Sequence, residues 1–222
     1  HVQKGETLAI VGHTGSGKST ISSLLMRQYD AQEGSVFIDG IPLTDINLHA
    51  FRAQTGIVPQ DVFLFSDTIR ENVQFGINDR QCTEEELIEA CKMTHVYHNI
   101  QGFPDGFDTL LGERGVNLSG GQKQRISIAR ALLKKPKLLI LDDCLSAVDT
   151  ETEEIILSNL EKGKEDRTTI IISHRISTIR NATKIIVISD GEVVESGNHE
   201  ALISQKGTYF DMHEQQLRQE EN

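Results

Sequence analysis

The sequence lacks the features that mark disulfide-rich, membrane-spanning or secreted proteins. Its 3 cysteines are an odd number without a CxxC pair, so we expect neither a disulfide framework nor a zinc knuckle. The longest apolar runs, such as Leu138–Leu141 and Ile185–Ile188, are four residues long. A membrane-spanning helix needs about 20 such residues. No signal peptide opens the chain. We therefore expect a soluble, cytosolic module with reduced thiols.

An excess of positive charge is also missing. The chain has 22 Lys and Arg against 33 Asp and Glu, for a net charge of −11. Such a surface argues against nucleic acid or anionic lipid as a partner. The hydrophobic content of 37% excludes disorder of the whole chain. The length of 222 residues fits one domain, with or without an inserted subdomain.

Short apolar runs of β-branched residues recur along the chain, and helical stretches separate most of them. Because these runs are continuous rather than alternating, they predict strands buried on both faces of a parallel sheet. The turn at Ser189–Glu192 predicts a hairpin and hence a small antiparallel part. We therefore predict an α/β fold. The predicted strands are Leu8–Val11, Val36–Ile38, Lys137–Leu141, Thr168–Ser173 and Lys184–Ser189.

The middle of the chain has no such runs from about residue 68 to residue 134. Thr83 and Glu86 form a predicted capping box that begins a helix running to about Ile100. A second predicted helix, from about 121 to 134, ends before Pro136. We predict a single domain over 1–222, with a core of 1–66 and 135–222 and an inserted α-helical subdomain at about 67–134.

The chain enters a turn at Lys4–Glu6 directly after His1–Gln3. No residues are left there to pair with a preceding strand. We therefore expect the chain to begin inside its fold and to belong to a longer polypeptide.

The segment from Gly12 to Ser19 fits the pattern GxxxxGK[ST], directly after a predicted strand and at the start of a predicted helix, Lys18–Arg27. Glycines let such a loop turn its amide hydrogens inward, and the helix N-terminus adds positive potential. Lys18 would reach the β- and γ-phosphates of a nucleotide, and the Ser19 hydroxyl would hold Mg²⁺. The alternative is a glycine-rich turn that matches by chance, which the flanking strand and helix disfavour. The predicted nucleotide-binding residues of this loop are Gly12, His13, Thr14, Gly15, Ser16, Gly17, Lys18, Ser19 and Thr20.

A second acidic element agrees with this interpretation. The strand at 138–141 ends in Asp142 and Asp143, at the sheet edge where ligands collect in parallel α/β folds. Asp142 is placed to hold Mg²⁺ directly or through water. The alternative is a capping role at the strand end.

The segment Leu118-Ser119-Gly120-Gly121-Gln122 resembles the signature motif in the nucleotide-binding domain of ATP-binding cassette (ABC) transporters. It also predicts a capping box that opens a helix, and both interpretations can hold. The resemblance implies a P-loop NTPase (RecA-like) core. It further implies that the motif serves the ATP bound to another subunit, so that two sites form only in a head-to-tail dimer with a second nucleotide-binding domain.

The remaining motifs follow in family order. Gln60 resembles the Q-loop glutamine, Ser146–Asp149 resembles the D-loop, and His174 resembles the switch histidine. The resemblance implies ATP and Mg²⁺ as cofactors, with catalytic roles for Asp143, His174 and Gln60. The residues that it assigns to Mg²⁺ are Ser19, Gln60 and Asp142, and those that it assigns to ATP of the other subunit are Leu118, Ser119, Gly120, Gly121, Gln122 and Asp149.

Two further segments resemble those of exporters. Gly112–Gly115 and Ile69–Asn72 look like loops that, together with the Gln60 region, contact the coupling helices of a transmembrane domain. The alternative is a solvated charged loop. The resemblance implies an ATPase at the cytoplasmic face of a membrane, with its transmembrane domain upstream in a longer chain.

The sequence departs from the family pattern at two places. Asp143 stands where a hydrolysing member normally has Glu, and a carboxylate withdrawn by about 1 Å can cost roughly 10²-fold in rate. The family includes heterodimeric exporters in which the chain with such a substitution keeps an intact signature. Asp143 together with the intact Leu118–Gln122 resembles that pattern, which implies one half of a heterodimeric exporter; a homodimer remains the alternative. No aromatic residue that would stack on adenine precedes the P-loop strand.

Two alternative functions remain open for the chain. One is that of a non-transport member of the family, and the other is that of a regulatory module that binds ATP without turnover.

Overall fold

The computed structural model describes residues 1–77, 80–115 and 117–220, and the side chains of Arg114, Lys164 and Glu220 lie outside this description. Strands and helices alternate over most of the chain. The strands are β1 (Thr7–Val11), β2 (Phe37–Ile38), β3 (Ile41–Pro42), β4 (Thr55–Val58), β5 (Leu138–Asp142), β6 (Thr168–Ile172), β7 (Lys184–Ser189) and β8 (Glu192–Gly197). The helices are α1 (Lys18–Leu25), α2 (Leu48–Ala53), α3 (Ile69–Gln74), α4 (Glu84–Met93), α5 (Tyr97–Gln101), α6 (Gly120–Leu133), α7 (Thr150–Glu161), α8 (Ile176–Ile179), α9 (His199–Gln205) and α10 (Thr208–Glu220).

A six-stranded sheet with the order β4-β5-β6-β1-β7-β8 forms the centre of the fold. Its first five strands pair in parallel, and β8 pairs antiparallel with β7. In the turn between these two strands, Asp190 and Gly191 have φ of 51° and 82°, and Ser189 pairs with Glu192. Two consecutive positive φ angles suit a tight hairpin. The predicted α/β class, the parallel sheet and the hairpin are confirmed.

Residues on both faces of the sheet are buried, as a parallel sheet requires. Along β1, Ala9 and Val11 contribute to one hydrophobic cluster and Ile10 to another. Along β5, Leu139 and Ile140 divide between the same two clusters. A third cluster is drawn entirely from residues 64–133 and joins α3 to α6.

The prediction that Val36–Ile38 is a buried strand of the parallel sheet is wrong. The strand there, β2, pairs with β3 in a separate two-stranded sheet, and Phe37 is 59% exposed. Asp39 and Gly40 have φ of 50° and 79°, so the chain reverses at once. A two-residue turn of this kind joins antiparallel neighbours and cannot lead into a parallel strand.

The sequence analysis missed β4, which forms one edge of the sheet beside β5. Gly56 interrupts this short apolar run, which the sequence analysis did not include among the strands. A Cβ on Gly56 would lie 3.1 Å from the carbonyl oxygen of Ala131 in α6. The glycine therefore allows α6 to pack closely on the strand, which is an ordinary use of glycine within a sheet.

The predicted helix from Thr83 to about Ile100 begins as expected but is divided. Thr83 and Glu86 form the capping box, so the predicted start is confirmed. The helix α4 ends at Met93, and α5 starts at Tyr97. Between them His95 has a φ of 53°, and the amide of Val96 donates to the carbonyl of Cys91. A left-handed residue with such a bond ends a helix even without glycine.

Three other features bear on the sequence predictions. The helix α6 begins and ends within one residue of the predicted bounds, whereas α1 ends at Leu25, two residues earlier than predicted. All three cysteines are free thiols, and burial raises the pKa of Cys91 to about 12. Over the described ranges, no helix combines the length and the apolar character needed to cross a membrane.

Candidate active site

The loop between β1 and α1 has the backbone that its glycines predict. Gly15 and Gly17 have φ of 83° and 99°, in the left-handed region that glycine adopts most easily. A Cβ on Gly12 would lie 2.2 Å from the carbonyl oxygen of Ile188 in β7. Gly12 is therefore required by packing, and the two later glycines by the turn into α1.

Lys18, the first residue of α1, turns back over this loop. Its Nζ donates to the carbonyl oxygens of Gly12 and His13 at 2.7 and 2.8 Å. Burial lowers the pKa of Lys18, and the carboxylates of Asp143 and Asp142 oppose this shift. The arrangement holds an ammonium group at the mouth of the loop, facing two carboxylates.

Asp142 ends β5 in a buried position, only 6% exposed. Its Oδ2 accepts a hydrogen bond from Ser22 Oγ at 2.8 Å, and its Oδ1 accepts one from Ser19 Oγ at 3.3 Å. The structure thus brings Ser19 and Asp142 together, as the predicted metal site requires. Ser22 was not predicted, although it lies one turn beyond Ser19 on the same face of α1.

Asp143 lies beside the two residues that were assigned catalytic roles with it. Its Oδ1 is 2.8 Å from His174 Nδ1, and its Oδ2 accepts from Gln60 Nε2 at 3.4 Å. Asp143 has a φ of 47°, and its amide donates to the carbonyl of Ile172 at 2.8 Å. Aspartate tolerates this left-handed conformation better than most residues. The three predicted catalytic side chains therefore meet at the carboxyl ends of β4, β5 and β6.

A cleft of about 470 Å³ opens over these groups. This size lies within the range of small-molecule sites. Of the predicted loop residues, Gly12, His13 and Ser16 are not part of its lining. The residues that line it are Thr14, Gly15, Gly17, Lys18, Ser19, Thr20, Gln60, Asp142, Asp143, Ile172, Ser173 and His174.

The residues present fit a phosphate group with Mg²⁺. Hydroxyl and carboxylate oxygens, such as those of Ser19 and Asp142, are the ligands that Mg²⁺ prefers. Ser16 Oγ is buried in the loop, and no hydrogen-bond partner for it exists among the described residues. A buried hydroxyl without a hydrogen-bond partner is unusual unless a ligand or a water molecule supplies that partner. The N-terminus of α1 adds amide hydrogens and positive potential.

The signature segment begins α6 with the predicted capping box. Ser119 Oγ accepts from the amide of Gln122 at 3.2 Å, and Gln122 Oε1 accepts from the amide of Ser119 at 2.9 Å. Leu118 is buried in the hydrophobic cluster formed by residues 64–133, so its side chain anchors the segment. As far as the chain is described, none of residues 118–122 lines the cleft of their own chain, and Asp149 does not line it either.

The signature segment and the D-loop pack against each other. A Cβ on Gly121 would lie 2.8 Å from the carbonyl oxygen of Ala147. Gln124 donates to Ser146 Oγ at 3.2 Å and accepts from the amide of Ala147 at 2.9 Å. Asp149 caps α7 by accepting from the amide of Thr152, and these bonds lower the pKa of Asp149. The residues of this chain that were predicted to contact the ATP of a second subunit therefore form one continuous region.

Arg175, which the sequence analysis missed, joins the predicted D-loop to the segment that carries His174. Its Nη2 donates to the carbonyl of Ser146 at 2.8 Å, and its Nη1 donates to the carbonyl of Val148 at 3.3 Å. The same guanidinium pairs with Glu153 in α7 at 3.1 Å. Because Arg175 directly follows His174, the D-loop and the His174 segment are held by one side chain. The Ser-His-Arg sequence carried no local sign of this contact.

The two segments predicted to contact a transmembrane domain have mixed environments. In the first, Ile69 and Asn72 are buried, and Asn72 hydrogen-bonds to the backbone of Phe65. Glu71 from the same segment is exposed and lines an adjacent groove with Phe65 and Phe75. In the second, Glu113 is exposed and Gly115 is buried, while the side chain of Arg114 lies outside the described residues.

A parallel sheet whose glycine loop faces two carboxylates at the strand ends is the arrangement of P-loop nucleotide-binding proteins. Comparison with known families agrees with this geometry. The chain belongs to the ABC transporter family, whose model matches residues 1–146.

Three related proteins show how the chain compares with longer ones. It is 48% identical over 221 residues to multidrug resistance protein 4 of Entamoeba histolytica, covering 99% of this chain and 17% of that protein. It is 45% identical over 219 residues to the ATP-dependent lipid A-core flippase of Syntrophus aciditrophicus, covering 99% and 36%. The structure of a bacterial Atm1-family ABC exporter with ATP bound matches with a TM-score of 0.92 and 44% identity, covering 96% and 37%. The chain therefore spans about a fifth to two fifths of the length of these relatives.

Proposed function

We propose that this chain binds and hydrolyses ATP and drives export across a membrane as one nucleotide-binding domain of an ABC exporter. The observation that carries the proposal is the single cleft in which Lys18, Ser19, Asp142, Asp143 and His174 gather. Relatives named as a multidrug resistance protein, a lipid flippase and an ABC exporter support the direction of transport.

In the proposed mechanism the loop from Gly12 to Thr20 cradles the phosphates. Its inward amides and Lys18 compensate the charge of the β- and γ-phosphate oxygens. Mg²⁺, held by Ser19, Asp142 and Gln60, would supply further neutralisation of the charge that develops during phosphoryl transfer. The chain's own residues position the attacking water and remove its proton.

Asp143 is the proposed general base, because its carboxylate lies in the cleft within reach of both neighbouring groups. His174 Nδ1 and Gln60 Nε2 hold the two oxygens of this carboxylate at 2.8 and 3.4 Å. Gln60 orients the water, and His174 contacts the γ-phosphate. The proton moves from the water to an Asp143 oxygen as the bond from the water oxygen to the γ-phosphorus forms. The bond from that phosphorus to the oxygen bridging the β- and γ-phosphates breaks, so that ADP leaves with the bridging oxygen and phosphate is released.

A second nucleotide-binding domain is needed to complete each site. The region formed by residues 118–122 and the D-loop is separate from the cleft of its own chain. The N-terminus of α6 presents amide hydrogens there, which suit a γ-phosphate. In a head-to-tail dimer this region would face the cleft of the other subunit. We propose that ATP closes this dimer and that hydrolysis reopens it.

We further propose that the partner is a different chain. The side chain of Asp143 is one methylene shorter than the glutamate of a hydrolysing family member, which weakens the general base. The signature of this chain is intact and would complete the partner's competent site. A homodimer is the alternative, in which Asp143 reaches the water after a small backbone shift.

The proposed division of the chain explains how closure reaches the membrane. Residues 1–66 and 135–222 form the ATP-binding core, and about 67–134 form the helical subdomain. The separate hydrophobic cluster at 64–133 supports this division. The coupling helices of the transmembrane domain would contact the Gln60 region, Glu71 and Gly112–Gly115, at the cytoplasmic face of the membrane.

Turnover of Mg·ATP by this chain tests the proposal. Lys18→Ala should abolish turnover, while Lys4→Ala, which removes an exposed lysine outside the loop, should leave it unchanged. Equal turnover by the unaltered chain, Lys18→Ala and Asp143→Glu would refute ATP hydrolysis as its function.

The same assay separates a heterodimer from a homodimer. If the site is degenerate, Asp143→Glu gains about tenfold or more in turnover, because the longer side chain restores the position of the base. If the unaltered chain already turns over well and Asp143→Glu changes little, a self-sufficient homodimer is the better model. Thermal unfolding of both proteins checks that the left-handed backbone at 143 tolerates the change.

A further inference from the structure

Gln216, in α10, contacts the backbone on both sides of Arg175. Its Nε2 donates to the carbonyl oxygen of His174 at 2.5 Å. Its Oε1 accepts from the amide of Ile176 at 2.8 Å. One planar carboxamide therefore holds two backbone groups of the segment that carries His174, and both of its ends are used.

The helix that carries Gln216 is firmly attached to the core. Tyr209 is fully buried, and Met212 belongs to the same hydrophobic cluster as β1 and β7. The carboxylate of Glu195 accepts hydrogen bonds from the amides of Thr208 and Tyr209 at the start of α10. Gln216 therefore extends from a helix that is held in place, and it can restrict the position of the His174 backbone.

The side chain of His174 is more than half exposed and contacts Asp143 in the cleft. The position of this side chain depends on the backbone from which it extends, and Gln216 hydrogen-bonds to that backbone at the carbonyl of His174 and the amide of Ile176. A displacement of about 1 Å in a reacting group can cost roughly 10²-fold in rate. We propose that Gln216 is a positioning residue that sets the placement of His174 for ATP hydrolysis, an inference that rests on the proposed function.

A purely structural role for Gln216 makes a different prediction. The amide of Ile176 lies in the first turn of α8, whose N-cap residue Arg175 makes no side-chain cap. Gln216 Oε1 fills that role, and a carboxylate oxygen would fill it equally well. A carboxylate, however, cannot donate to the carbonyl of His174. Gln216→Glu therefore separates capping of α8 from positioning of His174.

Steady-state ATP turnover of Gln216→Ala, Gln216→Glu and the control Gln215→Ala tests the proposal. Gln215 is exposed on the same helix, so Gln215→Ala should match the unaltered chain. We expect both Gln216 variants to lose about tenfold in kcat, with KM for ATP changed by less than twofold. Unaltered turnover in Gln216→Glu would overturn the proposal in favour of the capping role.

A double-mutant cycle with His174→Ala asks whether Gln216 acts through the histidine. If it does, adding Gln216→Ala to His174→Ala lowers the residual turnover by less than twofold, because the residue being positioned is already absent. A further tenfold loss in the double variant would mean that Gln216 acts elsewhere, and the proposal would fail.

Amide hydrogen exchange provides a readout that does not need turnover. In Gln216→Ala the amide of Ile176 should exchange at least tenfold faster than in the unaltered chain or in Gln215→Ala. Unchanged exchange would refute positioning. If the unaltered chain has no turnover above Lys18→Ala, the proposed function fails, and the exchange result alone decides whether Gln216 holds this segment.

Discussion

Two ion pairs between α7 and the α8 region are nearly equal in length but differ in burial, and this difference predicts very different stabilities for two arginine variants. Arg175 and Glu153 are 3.1 Å apart, and the side chain of Glu153 is only 2% exposed. Arg180 and Glu154 are 3.0 Å apart, with side chains 50% and 59% exposed. The perturbation is the same in both cases, replacement of the arginine by methionine.

Arg175→Met removes the cation paired with the buried carboxylate of Glu153, and among the described residues the hydroxyl of Thr178 is then its one remaining hydrogen-bond partner. Breaking a buried pair in this way costs about 3–5 kcal/mol in the free energy of unfolding. Arg180→Met leaves Glu154 in solvent, and an exposed pair contributes at most about 1 kcal/mol. For a chain of this size, each kcal/mol lowers Tm by about 2–4 °C. We expect Tm to fall by about 6–20 °C for Arg175→Met and by less than about 4 °C for Arg180→Met.

Calorimetry and urea unfolding measure the two losses side by side. Adding Glu153→Leu to Arg175→Met should recover part of the stability, because the unpaired charge is then removed. Recovery should be incomplete, since the bonds from Arg175 to the carbonyls of Ser146 and Val148 remain lost. Equal losses for Arg175→Met and Arg180→Met would refute the argument that burial, rather than distance, sets the strength of these pairs.

Two further predictions concern packing and pH. Gly121→Ala should abolish turnover by displacing the D-loop, because its Cβ would lie 2.8 Å from a backbone oxygen, whereas Gly163→Ala meets open space and should retain turnover; equal turnover of the two variants would contradict this. Hydrogen bonds from Lys135 and Arg80 lower the pKa of Glu86 from 4.5 to about 2. The stability that Glu86 contributes should be complete above pH 4.5 and lost as the pH falls through 2. Between these pH values the free energy of unfolding of Glu86→Gln should therefore change less with pH than that of the unaltered chain; identical changes in the two proteins would contradict this prediction.

Sequence signals that act over a few residues predicted their features correctly. The strands β1, β5, β6 and β7 follow from continuous apolar runs, and the starts of α4 and α6 follow from capping boxes at Thr83 and Ser119. The glycine loop followed from its spacing. The capping boxes and the glycine loop are formed by residues within one turn, and burial of the strands on both faces requires the continuous apolar runs, so the local sequence carries each of these signals.

The wrong and missing predictions fall where composition and glycine or proline signals do not show how the chain pairs, bends or packs. Val36–Ile38 has the composition of a buried strand, but the Asp39–Gly40 turn pairs it with its neighbour on the surface. The strand β4 was not predicted, and its Gly56 is explained by the close packing of α6 on the strand. The break at His95 needs no glycine or proline, so nothing in the local sequence marks it.

The sequence by itself determined the class of fold, the glycine loop between β1 and α1 and the chemical types of the groups around it. The tertiary structure decided which of these groups meet. Gln216 contacts a backbone group 42 residues away, and Arg175 pairs with a carboxylate 22 residues away. Local propensity is set by neighbours along the chain, whereas such partners are chosen by the order of strands in the sheet and by the helices that pack on it.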